Sequence, residues 1–141
     1  MKFEIEPHIG VGPIKLGMSR ADVHAILGVP EHTHNEREGF LSGFMVDYDD
    51  NDCVEFIELA NSNRFVAYFQ DLPVHSTAAD EIVSFLSQFT EYDKNDPELG
   101  RSFIFKDLQF SLWRSVVPEK DDDLDGRFFE AVGIAAKGYF P

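Results

Sequence analysis

A chain of 141 residues that sets 26 Asp and Glu against 12 Lys and Arg carries a formal charge of −14, a field that repels nucleic-acid phosphates and anionic membrane surfaces and attracts basic partners. Its 43% hydrophobic share, with 14 Phe, exceeds what an acidic disordered chain carries, so the charge belongs on the surface of one folded domain with a real core. One cysteine, Cys53, excludes an internal disulfide and a thiolate metal cage, and its apolar neighbours in DCVEFIEL predict a buried, inert thiol.

The opening MKFEIEPHIG has no apolar stretch of the kind a signal peptide needs, and no window approaches the ~18 apolar residues of a membrane span, which predicts a cytoplasmic protein. Next, GPIKLGMSRADVHAILGVP punctuates one short helix with glycine and proline. Ser19 can cap it, with Asp22 as the second half of a capping box, because a side-chain oxygen there satisfies backbone N–H groups that the first turn leaves open. Val23, Ile26 and Leu27 form an apolar stripe, Gly28 suits a left-handed cap, and Pro30 forbids continuation. Gly10, Gly12 and Gly17 match neither the Rossmann nor the P-loop spacing, so they read as punctuation and not as a phosphate cradle.

EHTHNEREG reads as a polar connection, followed by the strands GFMVDYD and CVEFIELA joined by the turn DDND. After the strand-like RFVAYFQ, the stretch HSTAADEIVSFLSQF predicts a second helix, with Thr77 and Asp80 as its capping box and Ile82, Val83, Leu86 and Phe89 as its stripe. EYDKNDPELG leads to the strands SFIFKD and LQFSLWRS, and the acidic loop VPEKDDDLDGR leads to the last strand, FFEAVGIAA. In LQFSLWR the alternation puts Leu108, Phe110 and Leu112 on one face and Gln109, Ser111 and Trp113 on the other.

This order predicts a single α+β domain over 1–141, an antiparallel sheet with two short helices packed on one face. It also carries an echo, strand then turn then helix then strands, that would divide the chain into pseudo-repeats of about 1–62 and 63–141. The segment IKLGMSRADVHAILGVP resembles the G-M-[ST]-x-x-x-V-x-x-x-L-G-x-P helix start of β-lactamase-inhibitor-protein-like and SmpA/OmlA-type modules. That resemblance implies a short helical segment against an antiparallel sheet and a non-catalytic habit of binding other proteins. The chain as a whole, ending in FFEAVGIAAKGYF, is similar to small acidic bacterial proteins, among them toxin-immunity proteins. It carries neither the lipoprotein signal nor the disulfides of the exported members, so only the module and its binding habit carry over.

Reactive chemistry finds little support. His32 and His34, with Glu31 and Glu36, could share a face toward a zinc-like ion, but nothing recruits a second segment, and a solvated loop explains them equally. Asp121, Asp123, Asp125 and Gly126 satisfy the first half of a calcium loop, whereas Val132 stands where the bidentate Glu belongs. His8, His24 and His75 stand in no catalytic constellation, His24 reading as a flank of the first helix's stripe. Trp113 and Arg114 are residue types enriched at binding hot spots, and Met45, Asp47 and Asp49 alternate onto the same open side of the sheet.

The reading is therefore a non-catalytic cytosolic protein-binding module without cofactor or metal, meeting a basic protein through Trp113, Arg114, Met45, Asp47, Asp49 and the loop carboxylates Asp121, Asp122, Asp123 and Asp125. An immunity-type inhibitor of a basic toxin or enzyme is its most concrete form. The alternatives are a small metal-dependent or hydrolytic enzyme using the His32/His34 loop or DDDLDG, and an accessory subunit docking a larger complex through its acidic face.

Overall fold

The computed structural model describes residues 1–120 and 122–141, with twelve strands and two helices among them. In chain order these are β1 (Lys2–Glu6), β2 (Gly10–Val11), β3 (Ile14–Lys15), α1 (Arg20–Leu27), β4 (His32–His34), β5 (Arg37–Gly39), β6 (Phe44–Tyr48), β7 (Val54–Ala60), β8 (Val66–Phe69), β9 (Leu72–Pro73), α2 (Ala79–Leu86), β10 (Ser102–Phe105), β11 (Phe110–Trp113) and β12 (Ala131–Ala135). The chain is a mixed α+β fold, but the single sheet expected from periodicity is two. A seven-stranded sheet runs β10-β11-β12-β7-β6-β5-β4 and a five-stranded one β3-β2-β1-β8-β9. All pairings are antiparallel except β1 with β8, where Phe3 lies opposite Ala67. Most of the first half of the chain separates those two strands, and a connection that long can return parallel where a hairpin cannot.

Period-two alternation decides what the large sheet buries. Val46, Ile57, Ile134 and Phe110 form one row across four strands, each 0% exposed. The small sheet packs over that face, as Phe69 against Phe110 (ring centroids 5.3 Å) and Phe3 against Phe44 (5.8 Å) record. Val23 from α1 and Ile82 and Leu86 from α2 complete the same core. Each such side chain, fully buried, contributes roughly 1.5–3 kcal/mol of transfer free energy.

Both helices start and pack differently from their sequence patterns in part. At α1 the Ser19 side chain accepts the Asp22 N–H (3.2 Å) as expected, and Gly28 ends the helix at φ 89°. Its stripe narrows to Val23 and the half-buried Leu27, because Ile26 is exposed. At α2 the expected Thr77 cap is absent. Thr77 instead donates to the Pro73 carbonyl (2.7 Å), and the first N–H of the helix, on Ala79, is taken by the Arg127 carbonyl (2.9 Å). A backbone partner from the far end of the chain has replaced a local one, and Phe89 is exposed beyond the helix end. EHTHNEREG forms the edge hairpin β4–β5, its polar side chains reflecting an edge position and not a loop. Cys53 is half-buried, bonded through its Sγ to the Asn51 carbonyl.

The reverse face of the large sheet is roofed at one end by the C-terminus. Phe56 on β7 points away from the core yet is 5% exposed, because Tyr139 stacks on it (5.0 Å, 2° between planes) and Phe140 meets it edge-on. Gln109, expected on an open face, clamps that segment: its amide donates to the Phe140 carbonyl (2.9 Å) and accepts the Phe140 N–H (2.8 Å). The Phe56 ring fits only because β12 has Gly133 beneath it, where a Cβ would stand 2.6 Å from Phe56 Cζ.

Gly133→Ala is therefore expected to destabilise by about 1–3 kcal/mol through overpacking, and Phe56→Leu in the same chain to recover part of that loss. Denaturant midpoints of the two single variants and the double variant measure the coupling; additive effects would show that the ring does not meet Gly133.

Candidate binding site

The β4–β5 and β6–β7 turns come to the same end of the large sheet and enclose a cavity of about 450 Å³ lined by His34, Glu36, Arg37, Asp47, Asp49, Asp50 and Glu55. The register shifts between Asp47 and Tyr48: Asp47 faces Phe56 and Tyr48 faces Val54, so Glu55 is the extra residue of a bulge. A bulge turns its extra side chain out of the pleat, and here it adds a carboxylate to a rim that already holds four.

These carboxylates divide by what they already bind. Asp47 is saturated: Arg37 grips both its oxygens (Nε at 2.6 Å, Nη2 at 3.1 Å) and the Tyr139 hydroxyl donates to Oδ2 (3.1 Å). Burial first, and this carboxylate second, push the Tyr139 phenol up to about 12. Asp49 turns one oxygen inward to the N–H groups of Asn51 (2.9 Å) and Cys53 (3.0 Å), which holds the β6–β7 turn. Glu55 makes no ion pair among the described residues, and burial together with Asp49, Asp47 and Asp50 pushes its carboxyl above the ordinary range. On the roofed face Glu58, half-buried beside Met45, is raised by burial too, with Arg37 working against the rise.

A second polar cluster fastens α1 to the sheet. Glu38 on β5 is 3% exposed and receives His24 Nε2 at 2.8 Å and Arg20 Nη1 at 3.1 Å, one helical turn apart on α1. Arg20 also holds Asp52 (2.7 Å) and lies 4.1 Å over the Tyr48 ring. Burial alone would raise the Glu38 carboxyl, but the contact with His24, the nearby Tyr48 hydroxyl and the Arg20 charge hold it below the usual carboxylate range. His24, read from sequence as a stripe flank, is thus a docking residue; each polar head in the cluster except the Tyr48 hydroxyl is spent on another.

Trp113 and Arg114 separate in the fold. Trp113 is 40% exposed on the reverse face, beyond the reach of the C-terminal roof. Arg114 is 6% exposed and donates to the carbonyls of Gly100 (2.9 Å) and Gly126 (2.8 Å), with its guanidinium 5.4 Å from the Phe129 ring centre. Burial lowers its pKa from the ordinary value. It lines a cavity of about 650 Å³ with Asp80, Lys120, Asp122, Asp123 and Arg127. Asp123 accepts the N–H groups of Glu119 (3.0 Å) and Lys120 (3.1 Å), so this oxygen shapes its own loop. Asp122 and Asp125 are exposed, and Asp121 lies outside the described residues. His32 and His34 are exposed on the edge strand, and among the described residues no three His, Cys, Asp or Glu side chains are placed to hold a metal ion.

Sequence alternation found Asp47 and Asp49 but missed Asp50, Arg37 and Glu55. The signal for Glu55 was the mismatch in length between DYD and CVEF across the turn, which only a bulge absorbs.

No protein-family model matches the chain, and no curated protein matches it. Among solved structures it is similar to a DUF4309 family protein (YjgB) from Bacillus subtilis subsp. subtilis str. 168, at 14% identity and a TM-score of 0.54 over 84% of this chain and 78% of that one. At that identity the likeness speaks for the mixed α+β fold alone. Among the described residues no helix is long and apolar enough to cross a membrane.

Two carboxylates with opposite shifts give opposite stability signatures. Glu38→Gln is expected to cost about 2 kcal/mol at neutral pH, since the Arg20 guanidinium and the His24 ring lose a charged acceptor. The folded pKa of Glu38 is depressed, so its contribution is complete above the unfolded value of about 4.3 and disappears as pH falls through the lower folded value. The folded pKa of Glu55 is raised, so ionised Glu55 opposes folding; Glu55→Gln is expected to stabilise at neutral pH, with the gain vanishing below about pH 4.3. Urea unfolding of both variants across the acid range checks the signs, and a destabilising Glu55→Gln at neutral pH would contradict the like-charge assignment.

Proposed function

We propose that the chain is a non-catalytic protein-binding module whose acidic groove receives a Lys or Arg side chain of a basic protein. One observation carries this reading: Glu55 sits against Asp49, Asp50 and Asp47, while Arg37, the only Lys or Arg lining the groove among the described residues, is already held by both oxygens of Asp47. A cation entering there relieves repulsion that the free protein carries, and a gain made only on binding adds directly to affinity. The overall charge of −14 speeds the encounter.

A cytosolic immunity-type inhibitor of a basic toxin or enzyme is the concrete form we favour, in keeping with the likeness of the α1 region to binding modules that act without catalysis. The parallel pairing of β1 with β8, each leading through short strands into a helix, supports reading 1–62 and 63–141 as pseudo-repeats with both helices on one face of the large sheet.

Hexa-arginine titrated into the protein by calorimetry tests the groove. Asp50→Asn with Glu55→Gln is expected to weaken binding about tenfold, roughly 1.4 kcal/mol. Glu4→Gln with Glu91→Gln removes the same charge from exposed positions outside the groove lining and is expected to change little. Equal losses in the two double variants would reduce the site to a diffuse field and overturn the reading.

A further inference from the structure

The groove leaves the larger cavity, about 650 Å³ beside the start of α2, without a role. Its size falls within the roughly 300–1,000 Å³ of small-ligand sites. Gly126 brings its walls together: at φ 80° it approaches so closely that an added Cβ would overlap the Val116 carbonyl. Arg114, the most deeply buried charged residue of the lining, donates to the Gly126 carbonyl, and the next carbonyl, that of Arg127, accepts the Ala79 N–H. The guanidinium and the first turn of α2 are thus fastened to adjacent carbonyls of one segment, and both border the cavity.

Donors remain unspent at that end. Arg114 donates from Nε and Nη1, whereas its Nη2 has no partner among the described residues and is not sealed from solvent. Helix α2 starts from Ala78, whose methyl group cannot cap it, and the Asp80 N–H finds no acceptor among the described residues. A free helix start beside a buried guanidinium suits a carboxylate, which accepts from both and gains from both fields.

The remaining lining carries both signs. Asp80, Glu119 and Asp122 are exposed around the cavity, as are Lys120 and Arg127, and no ion pair joins a lining cation to a carboxylate among the described residues. Asp123 is spent on the N–H groups of its own loop. The charge of Asp80 reaches Arg114 without offsetting its burial. A simple anion would satisfy Arg114 but meet the surrounding carboxylates, and a simple cation would leave Arg114 unpaired. A molecule with one charge of each sign answers both, and Val117 and Pro118 add an apolar wall for its body.

We propose that this cavity binds a small zwitterion, a free amino acid or a short peptide, with its carboxylate on Arg114 and the start of α2 and its ammonium among Asp80, Glu119 and Asp122. The two cavities share no lining residue, so this site stands or falls apart from the acidic groove.

Trialanine and L-leucine, each titrated calorimetrically into the whole chain, are the probes, and the tighter of the two names the source. Absence of saturation by both up to about 10 mM would overturn the site. N-acetylation and C-terminal amidation of the better probe are each expected to weaken it about tenfold, and equal affinity for either blocked form would overturn the zwitterion. Inorganic phosphate that displaces the probe at equal concentration would do the same, by reducing the site to an anion hole. Because Arg114 also fastens two loops, its variants mix binding with folding, so the ammonium end is tested on the protein at an exposed residue. Asp80→Asn is expected to weaken the free probe about tenfold and to leave the N-acetylated form, which lacks the ammonium, unchanged. Equal weakening of both forms would show that Asp80 acts through the fold and would remove it from the site.

Discussion

Strand β7 sends alternate side chains into two different apolar environments, and the rest of the molecule is arranged around that division. Ile57 and Leu59 enter the core between the sheets, while Phe56 turns to the other side and is covered by Tyr139. A sheet buried on one face needs only alternation; one buried on part of its second face also needs room, and Gly133 supplies it. The roof and its Gln109 clamp occupy one end of the reverse face, leaving the groove beside them and the Trp113 region beyond. Tyr139, Phe140 and Gln109 thus decide how much of the reverse face is covered.

A count of carboxylates overstates the charge available for binding, because many are already committed. Glu38 is held by Arg20 and His24, Asp47 by Arg37 and Tyr139, and Asp49 and Asp123 by backbone N–H groups of their own turns. Commitment shows in the sign of the shift at two of them: Glu38 is depressed because the His24 ring, the Tyr48 hydroxyl and the Arg20 charge outweigh its burial, and Glu55 is raised by burial first and by Asp49, Asp47 and Asp50 second. Repulsion at an exposed turn is weak when screened by salt, so it persists here at small cost to folding and remains for a cation to relieve. Local balance, and not net charge, singles out the groove.

Much of the architecture was legible in the residues. Alternation in FMVDY, VEFIELA and FSLW located β6, β7 and β11, and Ser19 with Gly28 located α1, because these signals depend on near neighbours. Signals that depend on distant partners were not legible. Thr77 has the chemistry of a helix cap, yet the Arg127 carbonyl reached the helix first. Gln109 had the parity of an open-face residue, and only the return of Phe140 from the chain end made it a clamp. Two sheets instead of one follow from the β1–β8 pairing, which no local pattern encodes. At the candidate site the same rule held: Asp47 and Asp49 followed from alternation, Glu55 from a bulge that breaks it.

Arg114 shows how one buried side chain fixes the loops at the end of β11. A guanidinium buried without an ion pair among the described residues is costly, and two carbonyls plus a ring face only partly offset that cost. What the arrangement supplies is rigidity: the Gly100 and Gly126 loops are fastened to one another through a single side chain. Association is opposed mainly by the ordering of mobile groups, so a cavity wall fixed beforehand loses less entropy when a ligand meets it than one carried on free loops. The burial cost of Arg114 is met in the folded state, before any partner is present.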